Sequence, residues 1–381
     1  MRFSSVLQLL CVAVFGLVDA GPIHAQWNSI PAALSPVERI PFAPCGPACD
    51  PSRSIGKVVT DGHRIFVLTP REIYQFADHR WTLIHACAEQ SRMNDLVAGD
   101  DRVYAIEDRW TCKPMGESGD SNCGNVYTAM QWDGKKWNDL FELSHYSSSR
   151  ICAAGSRLFG LDWSNNARKI LMAEDGRVTT LYSADEHSGN NTMPDAITAD
   201  EAGRVWVVLD SHHCDRSLRE LVDGTLHPTA PNLTQLHGWW NEVTAANGQV
   251  WVSTSADGNF YRWDGTKAVF IGKCPTAGRI DASPAALVAH YPEYRVGDDG
   301  HHAMLGVYLH RSGRWEHIDK SESVRLVAIH GTDLVLVRSR LIVDSLDSPI
   351  TEWWLERYQV EPADARSLVR QTRFSALDAA H

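Results

Sequence analysis

Apolar residues in this chain come in short runs separated by polar turns, and the runs repeat. In NGQVWVSTSADGNFYRWDG (Asn247 to Gly265) an apolar strand with a tryptophan leads through a polar loop to an aromatic strand and then Asp-Gly. Other stretches share this grammar. A first apolar strand (AITAD, EVTAA) is followed by a short polar turn, usually with glycine (DGHR, EAGR, NGQ). A second strand rich in β-branched and aromatic residues comes next (IFVLT, VWVVLD, VWVST). A variable loop leads to a third strand, and a hairpin leads to a fourth such as RWTLI, AVFIG or RWEHI. Asp-Gly suits the positive φ angles of a tight hairpin.

The period carries the fold. Asp-Gly turns end at Gly134, Gly176, Gly224 and Gly265, with a variant at Gly313, spaced by 41 to 48 residues. An earlier copy, YQFADHRWTLI, has Ala-Asp-His at the turn. Four short strands per roughly 40–50 residues is the signature of a β-propeller blade. The expectation is an all-β chain forming a single propeller over residues 54–360, with seven four-stranded blades and six or eight as alternatives. The units are 54–86, 93–145, 150–184, 194–229, 241–275, 283–320 and 324–360. A pair of β-sandwiches would explain the strands but not the period. The sixth unit reads as irregular, with AHYPEYRVGDDGHH in place of a clean second strand, and the seventh lacks a fourth strand. PVERIPFAP (Pro36 to Pro44), within the N-terminal segment 26–53, is the candidate to supply it and close the ring. Residues 361–381 are a tail.

Bulk properties narrow the setting. A net charge of -11 over 381 residues argues against nucleic acid as a partner. Arg2, the apolar run Val6–Val18 and small residues at Ala20 and Ala25 read as a signal peptide over 1–25, with Gln26 the first mature residue. Cys11 follows Leu10, where lipid attachment favours a small residue. No later segment approaches a membrane-spanning length, so the mature chain is expected to be soluble and exported, secreted or periplasmic. It is also expected to be a monomer. Cys45, Cys49, Cys87, Cys112, Cys123, Cys152, Cys214 and Cys274 make an even count, which in an oxidising compartment suggests disulfides. Cys112 and Cys123 bracket the polar loop CKPMGESGDSNC, and Cys45 and Cys49 lie close together in CGPAC. The CxxC pairs of structural zinc sites are absent.

PDAITADEAGRVWVVLD (Pro194 to Asp210) and NEVTAANGQVWVST (Asn241 to Thr254) resemble blades of periplasmic sensor propellers attached to two-component regulators. They also resemble blades of gluconolactonase/regucalcin-like enzymes and virginiamycin B lyase. In the lactonase family a Pro-Asp-Gly opens a blade, and its Asp binds a divalent metal at the central channel beside a Glu and two Asn. Here Pro194 and Asp195 match that motif and Ala196 replaces the Gly. The resemblance therefore implies one metal ligand, Asp195, and leaves the other three unplaced.

In such a ring the first strand of each blade lines the channel. The loops entering it, with those between second and third strands, form one face, where ligand sites sit. Aligning the units puts Lys57, Asp95, Arg150, Asp195, Glu242 and Arg325 at the channel mouth, with Asn94 and Asn241 adjacent. This mixture of signs fits a polar substrate, a divalent metal ion or a self-satisfied salt network. The second-to-third-strand loops are expected to add Arg109, Trp110, Asp162, Trp163, His212, His213, His290, Tyr291, His301 and His302, and Trp239 and Trp240 enter the fifth unit. DSHHCD (Asp210 to Asp215) is the densest group of metal-capable residues, although adjacent histidines on an extended segment point to opposite sides. There is no G-x-S-x-G, H-E-x-x-H, glycine-rich phosphate loop or sialidase Asp box. Two functions follow from the sequence. One is an exported propeller that binds a small molecule, glycan or protein partner. The other is a metal-assisted propeller lactonase, hydrolase or lyase.

Overall fold

The computed structural model describes residues 36–42, 55–100, 102–115, 120–143, 151–164, 167–184, 192–211, 217–229, 240–254, 259–263, 265, 268–273, 279–291, 306–311, 314–319, 321, 323–343 and 350–360. These residues form seven four-stranded antiparallel sheets arranged as a β-propeller, with no helix among them. Strand β1 (Glu38–Pro41) precedes the first blade. Blade one is β2 (Lys57–Thr60), β3 (Ile65–Leu68), β4 (Glu72–Ala77) and β5 (Arg80–Ala86). Blade two is β6 (Arg92–Ala98), β7 (Val103–Met115), β8 (Asp120–Trp132) and β9 (Trp137–Leu143). Blade three is β10 (Ile151–Ala154), β11 (Arg157–Ser164), β12 (Ala167–Glu174) and β13 (Arg177–Ala184). Blade four is β14 (Thr192–Ala199), β15 (Val205–Ser211), β16 (Ser217–Val222) and β17 (Thr225–Pro228). Blade five is β18 (Trp240–Ala246), β19 (Gln249–Thr254), β20 (Asn259–Trp263) and β21 (Ala268–Lys273). Blade six is β22 (Arg279–Ala282), β23 (Leu287–Tyr291), β24 (Gly306–Arg311) and β25 (Arg314–Asp319). Blade seven is β26 (Val324–His330), β27 (Asp333–Val343) and β28 (Ile350–Gln359), with β1 as its outer strand.

Second strands are buried on both faces, because each blade packs between two neighbours. That is why β3 reads as the unbroken apolar run Ile65–Leu68, all four residues buried. Phe66, Leu68 and Ile73 of blade one pack against Leu96, Val103 and Met130 of blade two. Fourth strands lie on the rim, so β5 is largely exposed or half-buried. The Asp-Gly turns behave as their sequence requires: Asp175 and Gly176 have φ of 50° and 74°, and Asp223 and Gly224 have 48° and 75°. The Ala-Asp-His copy makes the same kind of turn, with Asp78 at 49° and His79 at 57°.

Two expectations about unit boundaries need correction. Blade six begins at Arg279, not at 283, and its second strand is the regular Leu287–Tyr291. Ser283 to Ala286 is the hairpin between the first two strands, closed by Ser283 N–H to the Ala286 carbonyl at 2.9 Å. Arg109, Trp110, Asp162, Trp163, His290 and Tyr291, expected in loops, lie on strands.

The ring closes between blades seven and one. β1 pairs antiparallel with β28, from Glu38 opposite Arg357 to Pro41 opposite Trp354. Asp333, 2% exposed, then ties the seam. It accepts the Thr60 hydroxyl at 2.9 Å and Arg357 Nε at 2.6 Å, and Arg357 Nη2 donates to the Gly62 carbonyl at 2.8 Å. Removing one partner of a buried ion pair strands the other, so Asp333→Ala should cost about 3 kcal/mol. Urea unfolding of the purified protein checks this; a loss below about 1 kcal/mol would mean the seam is held by strand pairing and apolar packing alone.

Candidate functional site

Each inner strand runs from the upper face, where blades join, down to a tight hairpin on the lower face. The seven inner strands surround a cavity of about 550 Å³ on the ring axis. Its wall mixes polar and apolar residues: Lys57, Asn94, Asp95 and Asp281 line it together with Ile151, Ile197 and Val243.

Among the described residues four inner strands carry a β-bulge near their upper end. The register slips between Met93 and Asp95, between Pro194 and Ala196, between Trp240 and Glu242, and between Val324 and Leu326. The extra residues are Asn94, Asp195, Asn241 and Arg325. Counting up each ladder from its lower hairpin, including the turn-closing pairs of Gly99 with Arg102 and Asp200 with Arg204, places all four at the same depth. A bulge leaves its residue unpaired and re-aims the chain around it. Four at one level define the channel mouth.

This corrects the sequence alignment of the mouth. The bulge adds one residue, so aligning the strands by eye mixes two levels. Asp195 and Arg325 belong with Asn94 and Asn241. Lys57, Asp95 and Glu242 lie one step lower, and Arg279, which sequence reasoning missed, shares their level. Ala196 and Leu326 complete that level in blades four and seven. Arg325 is exposed, does not line the cavity, and donates Nε to the Ser339 hydroxyl at 2.9 Å. For Asp195, Trp240, Asn241, Glu242 and Arg279 the backbone alone is described. Arg150, His212, His213, Trp239, His301 and His302 lie outside the described residues.

At the lower level Lys57 and Asp95 form an ion pair between blades one and two, and Asp95 Oδ1 also accepts Leu96 N–H at 2.8 Å. Asp95 is 1% exposed, so its charge is already met by the fold. Glu242 and Arg279 repeat the pattern of opposite residue types on neighbouring blades. Among the described residues no three His, Cys, Asp or Glu side chains group as a metal site.

Asp281 is the unusual carboxylate. Its Oδ1 accepts Ala282 N–H at 3.0 Å and its Oδ2 accepts Ile329 N–H at 3.0 Å, linking blades six and seven. Burial raises its pKa to about 6, against the opposing pull of those amides, Lys57 and His330.

The cysteines divide. Cys87 and Cys152 carry free thiols, so the expectation that all eight pair does not hold for these two. Both lie partly buried; burial raises both thiol pKa values and keeps the thiols protonated. Cys112 and Cys123 stand directly opposite each other on β7 and β8. Cys45, Cys49, Cys214 and Cys274 are outside the described residues.

No protein-family model matches the chain, and no curated protein sequence matches it. Solved structures do. One described as YCF48 bound to D1 peptide has a TM-score of 0.52 at 12% identity, covering 87% of this chain and 100% of that one. The extracellular domain of the one-component system BT4673 from B. thetaiotaomicron has 0.48 at 10%, covering 81% of this chain and 39% of that one. BamB from Moraxella catarrhalis has 0.43 at 10%, covering 86% and 99%. All are β-propellers, and at these identities the likeness concerns the fold. No helix among the described residues is long and apolar enough to cross a membrane.

The raised pKa of Asp281 has a measurable sign. Its contribution to stability is fully present below the unfolded value near 3.8 and is lost as pH rises through about 6. Relative to Asp281→Asn, the wild type should lose on the order of 2 kcal/mol between pH 4 and pH 7. Chemical unfolding of both proteins across that range tests it; a pH-independent difference would mean that Asp281 ionises normally.

Proposed function

We propose that the protein is an exported binding propeller that takes a small molecule, glycan or protein partner at its upper, channel-mouth face. The observation that supports this best is the set of four bulges at one depth. Strands gain nothing from a repeated irregularity at the inner rim, since each bulge leaves a ladder position unpaired. Here the irregularities carry Asn94, Asp195, Asn241 and Arg325, one amide, carboxylate or guanidinium for each of blades two, four, five and seven. A ring of polar positions at the mouth of a partly apolar cavity is the usual composition of a ligand site. The acid–base pair below, half-buried Lys57 with buried Asp95, is satisfied within the ring and suits a rigid floor better than a reacting centre. Secretion or a periplasmic location follows from the leader-like residues 1–25 and agrees with this role.

A second reading has its own support. Asn94, Asp195 and Asn241 occupy equivalent positions and offer oxygen donors, the type a hard divalent cation selects. With a metal there, the chain would be a metal-assisted lactonase, hydrolase or lyase.

Elemental analysis of the purified mature protein, without chelator, separates the two. A metal-free protein that binds members of a glycan array or a metabolite thermal-shift panel supports the binding role. In that case Asn94→Ala with Asn241→Ala should leave stability within about 1 kcal/mol and weaken binding at least tenfold. Ligands held equally well by the double variant would remove the mouth from consideration. About one equivalent of divalent metal, lost in Asp195→Ala, would establish the second reading instead.

A further inference from the structure

Blade two has an extension that the channel mouth does not use. β7 and β8 pair continuously from Val103 opposite Trp132 to Met115 opposite Asp120. Their neighbours stop early: β6 begins at Arg92, opposite Asp108, and β9 ends at Leu143, opposite Tyr127. Seven residues of β7, Arg109 to Met115, therefore rise above the ring as a two-stranded arm. At ~3.3 Å per residue the arm stands roughly 20 Å above the blade.

The ladder fixes which backbone groups face the open edge. Gly99 N–H donates to the Arg102 carbonyl, and Asp133 N–H donates to the Lys136 carbonyl. Alternation from those two turns agrees. Odd residues of β7 exchange hydrogen bonds with β8, and even residues direct N–H and C=O toward the β6 side. Above Asp108 that side has no strand among the described residues, so the Trp110 amide and carbonyl face an open edge. Pro114 has the same parity, so its missing N–H also falls on the open side, the position where a strand tolerates proline. Cys112 and Cys123 form a non-hydrogen-bonded pair, in which side chains approach most closely.

The arm is held stiffly at its base. Arg109 donates to Glu107 and, through both Nη atoms, to Asp139 at 2.7 and 3.0 Å. Asn125 Nδ2 donates to Asp108 at 3.3 Å. Trp110 is 49% exposed. A rigid open edge with an exposed tryptophan is a template for another strand, and proteins normally cover or blunt such edges.

We propose that this edge binds the C-terminal segment of a partner protein by β-strand addition. The added strand runs antiparallel to β7, as every pair in the ring does, and so runs downward in line with β6. It must end where β6 begins, at Arg92. That side chain is 66% exposed and gives Nε to Asp108 at 3.0 Å, which places a guanidinium at the point where the partner's terminal carboxylate arrives. Backbone pairing supplies affinity, and Arg92 with Trp110 supplies selectivity.

The test uses random decapeptides displayed with free C-termini, selected on the intact mature protein. Enriched peptides should slow amide hydrogen exchange within residues 109–115. They should bind at least tenfold more weakly to Trp110→Pro than to Trp110→Ala, since both lose the ring but only proline removes the edge N–H. C-terminal amidation or Arg92→Ala should weaken them severalfold. Enriched peptides that protect other residues and ignore Trp110→Pro overturn this site while leaving binding at the channel mouth standing; a mouth ligand should in turn be indifferent to Trp110→Pro. Self-association abolished by Trp110→Pro would assign the edge to a second copy and overturn the partner. Failure to enrich any peptide overturns it as well. Cys112 is disulfide-bonded, so non-reducing peptide mapping should recover its pair with Cys123, and reduction of the protein should weaken peptide binding.

Discussion

A ring of radial sheets is only as strong as the joint between its last blade and its first, and here that joint is made by exchanging a strand. The chain leaves β1 on the outer edge of the seventh blade, builds six blades and returns to supply the other three strands. Opening the ring therefore requires breaking a four-residue ladder together with the Asp333 cluster, in which Thr60, Arg357 and the Gly62 carbonyl are tied across the seam. The apolar face behind it, Val58 and Val67 against Val335 and Leu355, cannot separate without exposing both sides. Ordinary blade-to-blade packing becomes cooperative because there is no free end from which to peel it.

Closure also concentrates constraint on the lower face. Adjacent hairpins are stitched across the blade boundaries by Asp100 N–H to the Gly155 carbonyl, Asn247 N–H to Glu201 at 2.8 Å, Asn247 Nδ2 to the Pro284 carbonyl and the Ser283 hydroxyl to the Gly331 carbonyl at 2.7 Å. Packing there is tight: a Cβ on Gly99 would lie 1.9 Å from the Gly155 carbonyl oxygen, so no other residue fits without moving blade three. These turns are short and mutually dependent, which leaves little room for a ligand site to vary.

The sequence shows the repeat because strands and turns are local events. Asp175-Gly176 and Asp223-Gly224 need positive φ whatever surrounds them, and their spacing counts blades. Blade six was harder to read, since its first strand, Arg279–Ala282, is four residues of mixed character with a single apolar core residue, Ile280. The mouth was legible in kind but not in register. A bulge is set by pairing between strands and has no signature in either strand alone, so the sequence pattern puts Asp195 and Arg325 one step from Asn94 and Asn241. The arm of blade two is hidden in the sequence for a related reason: glycine, serine and aspartate at its tip announce a turn, but whether a turn sits at the blade edge or ~20 Å above it depends on where the neighbouring strands stop.

Division of labour between the faces follows from these constraints. The lower face spends its polar groups on each other, and its hairpins are too short to carry anything more. The upper face is where inner strands bulge, where second and third strands outrun their neighbours, and where a change in one loop need not disturb the next blade. Bulges at a fixed depth give the channel mouth a rigid set of polar positions whose identities differ from blade to blade, Asn, Asp, Asn and Arg. An extended hairpin gives one blade a reach that the other blades' second strands do not all share. Both features are irregularities added to a regular ring, and both are tolerated because the seam and the lower hairpins already determine the fold.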